Sequence, residues 1–107
     1  MPLTKTFNET VKTRIQQSEG FRRALLREAV SCMIAGDVET GKSVLRKYIN
    51  GTVGFVKLGA DLGRSPKVLM RMLSSTGNPQ ARNLFEIVAY LQKSEGTVLE
   101  VVDRAAA

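Results

Sequence analysis

The sequence predicts an all-α, compact domain of five or six helices. Apolar residues recur three and four apart, the spacing of one helix face, in "EGFRRALLREAVSCMIAG", "VETGKSVLRKYIN" and "QARNLFEIVAYLQK". Glycine, proline and short polar residues fall between these runs and punctuate them. A chain of 107 residues with 43% hydrophobic content is long enough for one core and short enough that a dimer would add to its stability.

Each element follows from local chemistry. "TFNETVKTRIQQS" is a first, weaker helix: Thr6 and Glu9 have capping-box spacing, and Val11 and Ile15 form a thin apolar stripe. In the second helix, Phe21, Leu25, Ala29 and Cys32 make one apolar row and Leu26, Val30 and Met33 the next. Arg22, Arg23 and Arg27 lie on the other side, and Gly36 ends the run. Asp37 is an N-cap for a third helix with Glu39 in its first turn. Val38, Val44, Leu45, Tyr48 and Ile49 are its buried face, and Asn50-Gly51 its end. A fourth helix runs from about Val53 to Leu62 and stops at Gly63. Ser65 caps a fifth, Pro66 takes the first helical position, where its missing N–H is no loss, and the helix runs to about Leu73. After the loop "SSTGNP", Asn78 caps and Pro79 starts a sixth helix with Leu84, Ile87, Val88 and Leu91 on its core face. The segment "TVLEVV" reads either as a short β-strand or as a last helical turn, so sheet content is near zero unless the tail pairs across a dimer.

The net charge of +6 is unevenly placed. Between Lys42 and Arg82 stand eight basic residues (Lys42, Arg46, Lys47, Lys57, Arg64, Lys67, Arg71, Arg82) against one acid, Asp61, while the remainder is about neutral. A localised basic segment points to a polyanion, with nucleic acid first; the plain alternative is a solvated surface. The chain has no histidine and one cysteine, Cys32, in an apolar run where a buried structural thiol is expected. That excludes an internal disulfide framework and offers no metal-ligand cluster. With no carboxylate pair in a glycine-rich setting either, an enzyme is not expected, nor is a cofactor. An aromatic content of 6% gives little for stacking unpaired RNA bases. The segment "MPLTKTFNET" has no apolar signal core and no run reaches membrane-spanning length, so a cytoplasmic protein without membrane association is the default.

The segment "KLGADLGRSPKVLMRML" meets the demands of two helices that touch early around a tight turn. Gly59 is the small contact residue, Gly63 tolerates positive φ at the turn, and Leu58, Leu62, Leu69 and Met72 form a shared seam. With the flanking "AGDVETGKSVLRKYIN", "STGNP" and "ARNLFEIV", this stretch resembles phage-repressor-type transcriptional regulators. Within these it is most similar to the addiction-module antidote proteins, the antitoxins of toxin–antitoxin pairs. The resemblance covers roughly Ala24 to Val88. It implies a lambda-repressor-like helix-turn-helix over residues 52–94, a helical lead-in over 1–51 offering a partner or dimer surface, and a dimer-associated tail over 95–107. Arg64 departs from the pattern, standing where the family usually has an apolar residue, and the tail is less typical.

Such a helix-turn-helix reads base edges in the major groove with the start of its second helix. By the resemblance, the base-contacting positions are Ser65, Pro66, Lys67, Met70 and Arg71. Arg71 lies one turn beyond Lys67, so both can face a groove, where Arg holds guanine bidentately and Met70 meets a thymine methyl. The phosphate-contacting candidates are Lys57, Arg64, Ser74, Ser75, Asn78 and Arg82, with the amides of Gly54 and Phe55 at a helix start. For Lys67 and Arg71 the plain alternative is a solvated face, for Met70 a packing residue, and for Arg82 a local salt bridge. Tyr48 and Tyr90 read as core or interface residues. The resemblance implies a DNA-binding repressor acting as a homodimer on double-stranded operator DNA, its own promoter, and a RelE-like toxin partner bound through the N-terminal helices, Phe7 to Ala35. The alternatives are an antitoxin that mainly masks its toxin and a solitary phage-type regulator.

Overall fold

The computed structural model describes residues 2–106, with side chains from Glu9 onward. It contains α1 (Pro2–Gln17), α2 (Glu19–Ile34), α3 (Val38–Gly51), α4 (Gly54–Leu62), α5 (Pro66–Met72) and α6 (Ala81–Glu95), and no strand among the described residues. Because α1 begins at Pro2, Thr6 lies inside the helix rather than at its cap; the side chains of Thr6 and Phe7 lie outside those described. Residues 97–106 form neither the strand nor the helical turn that "TVLEVV" suggested.

The helix boundaries follow their caps. Ser18 separates α1 from α2, its Oγ accepting from the Phe21 amide at 3.1 Å, and the Arg14 guanidinium lies 4.8 Å from the centre of the Phe21 ring. Gly36 leaves α2 in the left-handed region, and the Asp37 carboxylate accepts from the Thr40 amide at 3.3 Å to start α3. The start of α6 is a correction: Gln80, extended and without a side-chain cap bond, precedes the first helical residue, Ala81, so Asn78 and Pro79 belong to the loop.

One core joins the helices. Leu26 and Ala29 of α2, Leu45, Tyr48 and Ile49 of α3, Phe55 and Leu58 of α4, Leu69 of α5, Leu73 and the four expected residues of α6 are buried together. Three side chains depart from the sequence reading. Val38 is exposed at the start of α3, where the turn from α2 leaves it uncovered. Cys32 is half-buried, its Sγ 3.7 Å from Glu28, and burial together with that carboxylate pushes the thiol pKa up. Arg22, expected on the open side of α2, turns inward. Its Nε donates to both Glu95 carboxylate oxygens at 3.2 and 3.0 Å, and its Nη1 donates to the Ile15 and Gln16 carbonyls at 3.0 and 3.3 Å. The Tyr48 hydroxyl donates to the same carboxylate, and burial followed by that bond raises the phenol well above its ordinary pKa.

A second set of cations fastens the end of α5. Lys42, 1% exposed, donates from Nζ to the carbonyls of Ser74 at 2.9 Å and Gly77 at 2.7 Å, and pairs with Glu39 at 3.0 Å. One turn on, Arg46 donates to the Leu73 carbonyl. These oxygens lie at and just beyond the C-terminus of α5, where unpaired carbonyls concentrate negative charge, so two cations on one stripe of α3 hold the 73–77 loop. The loop is pressed close: a Cβ at Gly77 would meet the Met72 carbonyl at 2.6 Å.

The α4–α5 turn is held by two glycines with different tasks. Gly63 adopts φ 69°, ψ 35°, and the Arg64 amide bonds back to the Gly59 carbonyl at 2.9 Å. A Cβ at Gly59 would strike the Arg64 carbonyl, a backbone atom that no rotamer change can move.

Denaturant unfolding tests these contacts. Gly59→Ala should destabilise the fold by about 1–3 kcal/mol through overpacking, despite alanine's higher helix propensity. Gly20→Ala, whose Cβ would meet only the Ser18 Oγ at 3.9 Å, an ordinary contact, should be neutral or slightly stabilising. Lys42→Met should lose about 1–3 kcal/mol, because the shape survives while the Gly77 carbonyl loses its donor and the Ser74 carbonyl keeps only the Gly77 amide, at 3.0 Å.

Candidate nucleic-acid interface

The candidate surface is built on α5, and its orientation follows from the turn before it. Ser65 is extended, at φ −71° and ψ 145°, and its Oγ accepts from the Val68 amide at 3.1 Å. Pro66 opens the helix. With Leu69 and Leu73 fully buried and Pro66 and Met72 half-buried, Lys67, Val68, Met70 and Arg71 face outward. Ser65 is exposed beside them. Lys67 and Arg71 thus share an open face one turn apart.

The eight basic residues between Lys42 and Arg82 divide by what they already hold. Lys42 and Arg46 grip carbonyls at the end of α5. Lys47 lies 3.3 Å from the Ser43 hydroxyl. Lys57 pairs with Asp61 at 3.2 Å on α4, and Asp61 also accepts from the Tyr90 hydroxyl of α6. The Tyr90 bond and then the Lys57 bond hold the Asp61 carboxyl below its usual range, and Asp61 raises the pKa of both partners. Arg64 reaches α6, donating from Nη2 to Asn83 Oδ1 at 2.8 Å and from Nε to Glu86 at 3.4 Å. That leaves Lys67, Arg71 and Arg82 without a side-chain partner among the described residues, and all three are exposed.

The other candidates are in different states. Ser75 and Asn78 are exposed in the loop after α5, while Ser74 is half-buried and donates to the Arg71 carbonyl at 2.7 Å. At the start of α4, Gly54 has φ 77° and the Phe55 side chain is buried. No side chain caps this helix, so the candidacy of Gly54 and Phe55 rests on backbone amides alone.

Sequence reasoning missed the loop clamp. Counting charge places Lys42 and Arg46 on the surface, although Lys42 stands three before Leu45 and seven before Ile49, on the buried face of α3. It also passed over Val68, whose exposure adds an apolar side chain to the outward face of α5. Among the described residues, no group of three or more His, Cys, Asp or Glu could hold a metal ion, and no helix is long and apolar enough to cross a membrane.

This surface can therefore offer an anion or a base edge two unengaged cations one helical turn apart, a flexible thioether and a valine between them, and a third free cation at the start of the neighbouring helix. No family model, curated protein or solved structure matches the chain.

Proposed function

We propose that this chain is a sequence-specific DNA-binding regulator of transcription that uses α4, the Gly63 turn and α5 as a lambda-repressor-like helix-turn-helix. One observation carries the reading: in a segment of strong positive charge, most cations are committed to internal partners, while the open face of α5 keeps Lys67 and Arg71 unengaged. A purely solvated surface gives no reason for that division. In the proposed complex, α5 enters the major groove. Arg71 holds guanine O6 and N7, Lys67 reaches a neighbouring base edge, and Met70 packs on a thymine methyl. Ser65 and Pro66 bring the helix start to the bases.

The phosphate contacts rank by availability. Arg82, Ser75, Asn78 and the Gly54 and Phe55 amides need break no ion pair to reach a phosphate. Lys57 and Arg64 contribute less, because each must loosen a carboxylate partner first. Ser74 must release the Arg71 carbonyl. One module covers half a site, so a homodimer would read an inverted repeat. The resemblance drawn from the sequence extends this to an antitoxin that represses its own operon in the cytoplasm, with a RelE-like toxin held by the N-terminal helices.

A second reading, in which masking a partner protein is the main task, draws on one surface feature. Ile34 is 65% exposed at the end of α2, and Val38 lies beside the same turn. Co-purification of a second protein whose release requires Ile34→Asp would favour this reading.

The test is binding of the purified protein to the DNA upstream of its own gene against a scrambled duplex, at two salt concentrations. Preference for the upstream duplex with a steep salt dependence is expected. Arg71→Ala should lose about 1–3 kcal/mol of discrimination at one base pair. Arg82→Ala should weaken both duplexes alike and lower the salt slope by about one unit. Unaltered operator binding by the Lys67→Ala/Arg71→Ala double variant would sink the assignment of α5.

A further inference from the structure

The residues after α6 form an unpaired apolar segment. Gly96 takes φ 74°, and Leu99 is then tethered, its amide donating to Gln92 Oε1 at 2.8 Å and its side chain packing on the core. Val98, Val101 and Val102 are 77%, 83% and 83% exposed. From Glu100 to Arg104, no backbone or side-chain group has a hydrogen bond or ion pair among the described residues. β-Branched residues with free backbone donors and acceptors are the material of a strand without its neighbour.

We infer that this segment pairs with the same segment of a second copy of the chain, as an antiparallel two-stranded ribbon about a two-fold axis at Val102. The charges specify this occupant. In the register centred on Val102, Glu100 lies opposite the partner's Arg104, and the symmetry makes that pair twice. A shift of one residue that sets Val101 against the partner's Val102 instead sets Glu100 against the partner's Asp103, two like charges face to face. In the favoured register Val98, Glu100, Val102 and Arg104 share one face, so each Val102 meets its own copy between flanking ion pairs. The opposite face carries Leu99, Val101 and Asp103, and Leu99 rests on the body of its own protomer. An isolated two-stranded ribbon is marginal in water; the Leu99 anchor lays this one against the two cores.

The pairing would supply the dimer that the DNA reading calls for, and it rests on that reading only for its purpose. Its test contains no DNA, so failure of one leaves the other standing. Sedimentation velocity of the full chain over a concentration series should show a monomer–dimer equilibrium. Glu100→Arg alone and Arg104→Glu alone should each weaken the dimer about tenfold or more, since each turns two attractive pairs into repulsive ones. An equimolar mixture of these two single variants should dimerise like the parent. In the mixed dimer, positions 100 and 104 of one variant are both basic and those of the other both acidic, so opposite charges face each other at both pairs. Val102→Asp should weaken self-association further. All three positions are exposed, so helical content should stay unchanged, as should the unfolding midpoint measured at concentrations where the parent is monomeric. A monomer at every concentration, a dimer indifferent to both charge reversals, or a mixture that fails to recover would each overturn the proposal.

Discussion

A single ammonium group, that of Lys42, fixes how α3 meets the loop that follows α5. It sits on the buried face of α3 and answers carbonyls of Ser74 and Gly77, while Glu39 balances its charge from the solvent side. A cation this deeply buried is tolerable only when its donors are matched, and among the described residues no buried side-chain nitrogen or oxygen lacks a partner. Arg46 repeats the arrangement one turn away at Leu73. Together they take up charge at the C-terminal end of a seven-residue helix, which is too short to be stable alone. The outward face of α5 is thus set from behind, by charges on the inside of the fold.

Positive charge in this chain therefore has two uses that composition cannot separate. Lys42, Arg46 and Arg22 act within the structure, each directed at carbonyls or a carboxylate from a distant part of the chain. Lys67, Arg71 and Arg82 remain in solvent. The first group gives shape and the second gives attraction for anions. The net charge sums both and overstates the second.

The legible part of the fold lay in short-range signals. Gly36-Asp37, Gly63 and Ser65-Pro66 act through bonds spanning three to five residues, and all sit where the sequence put them. The four-residue spacing of Lys67 and Arg71 likewise placed them on one exposed face. What escaped the sequence depends on partners far along the chain. Lys42 lies 32 and 35 residues from its acceptors, and Arg22 lies 73 residues from Glu95. Helical periodicity says which side faces inward but not which carbonyl waits there, so Arg22 reads as a surface charge. The start of α6 is misplaced because Asn78-Pro79 carries a cap signal, whereas the backbone turns into the helix only after the extended Gln80. The tail stays ambiguous because a run as short as "TVLEVV" supports either period.

Glu95 gathers the Arg22 guanidinium and the Tyr48 hydroxyl, and through Arg22 it reaches the last carbonyls of α1. This acid follows Arg22 by 73 residues and Tyr48 by 47 in the order of synthesis. Until then the Arg22 guanidinium has carbonyls of α1 but no counter-charge, the Tyr48 phenol has no acceptor, and their burial is opposed. The nascent chain is thereby biased toward waiting, with its first three helices loosely associated, and toward closing as one cooperative unit once Glu95 has emerged.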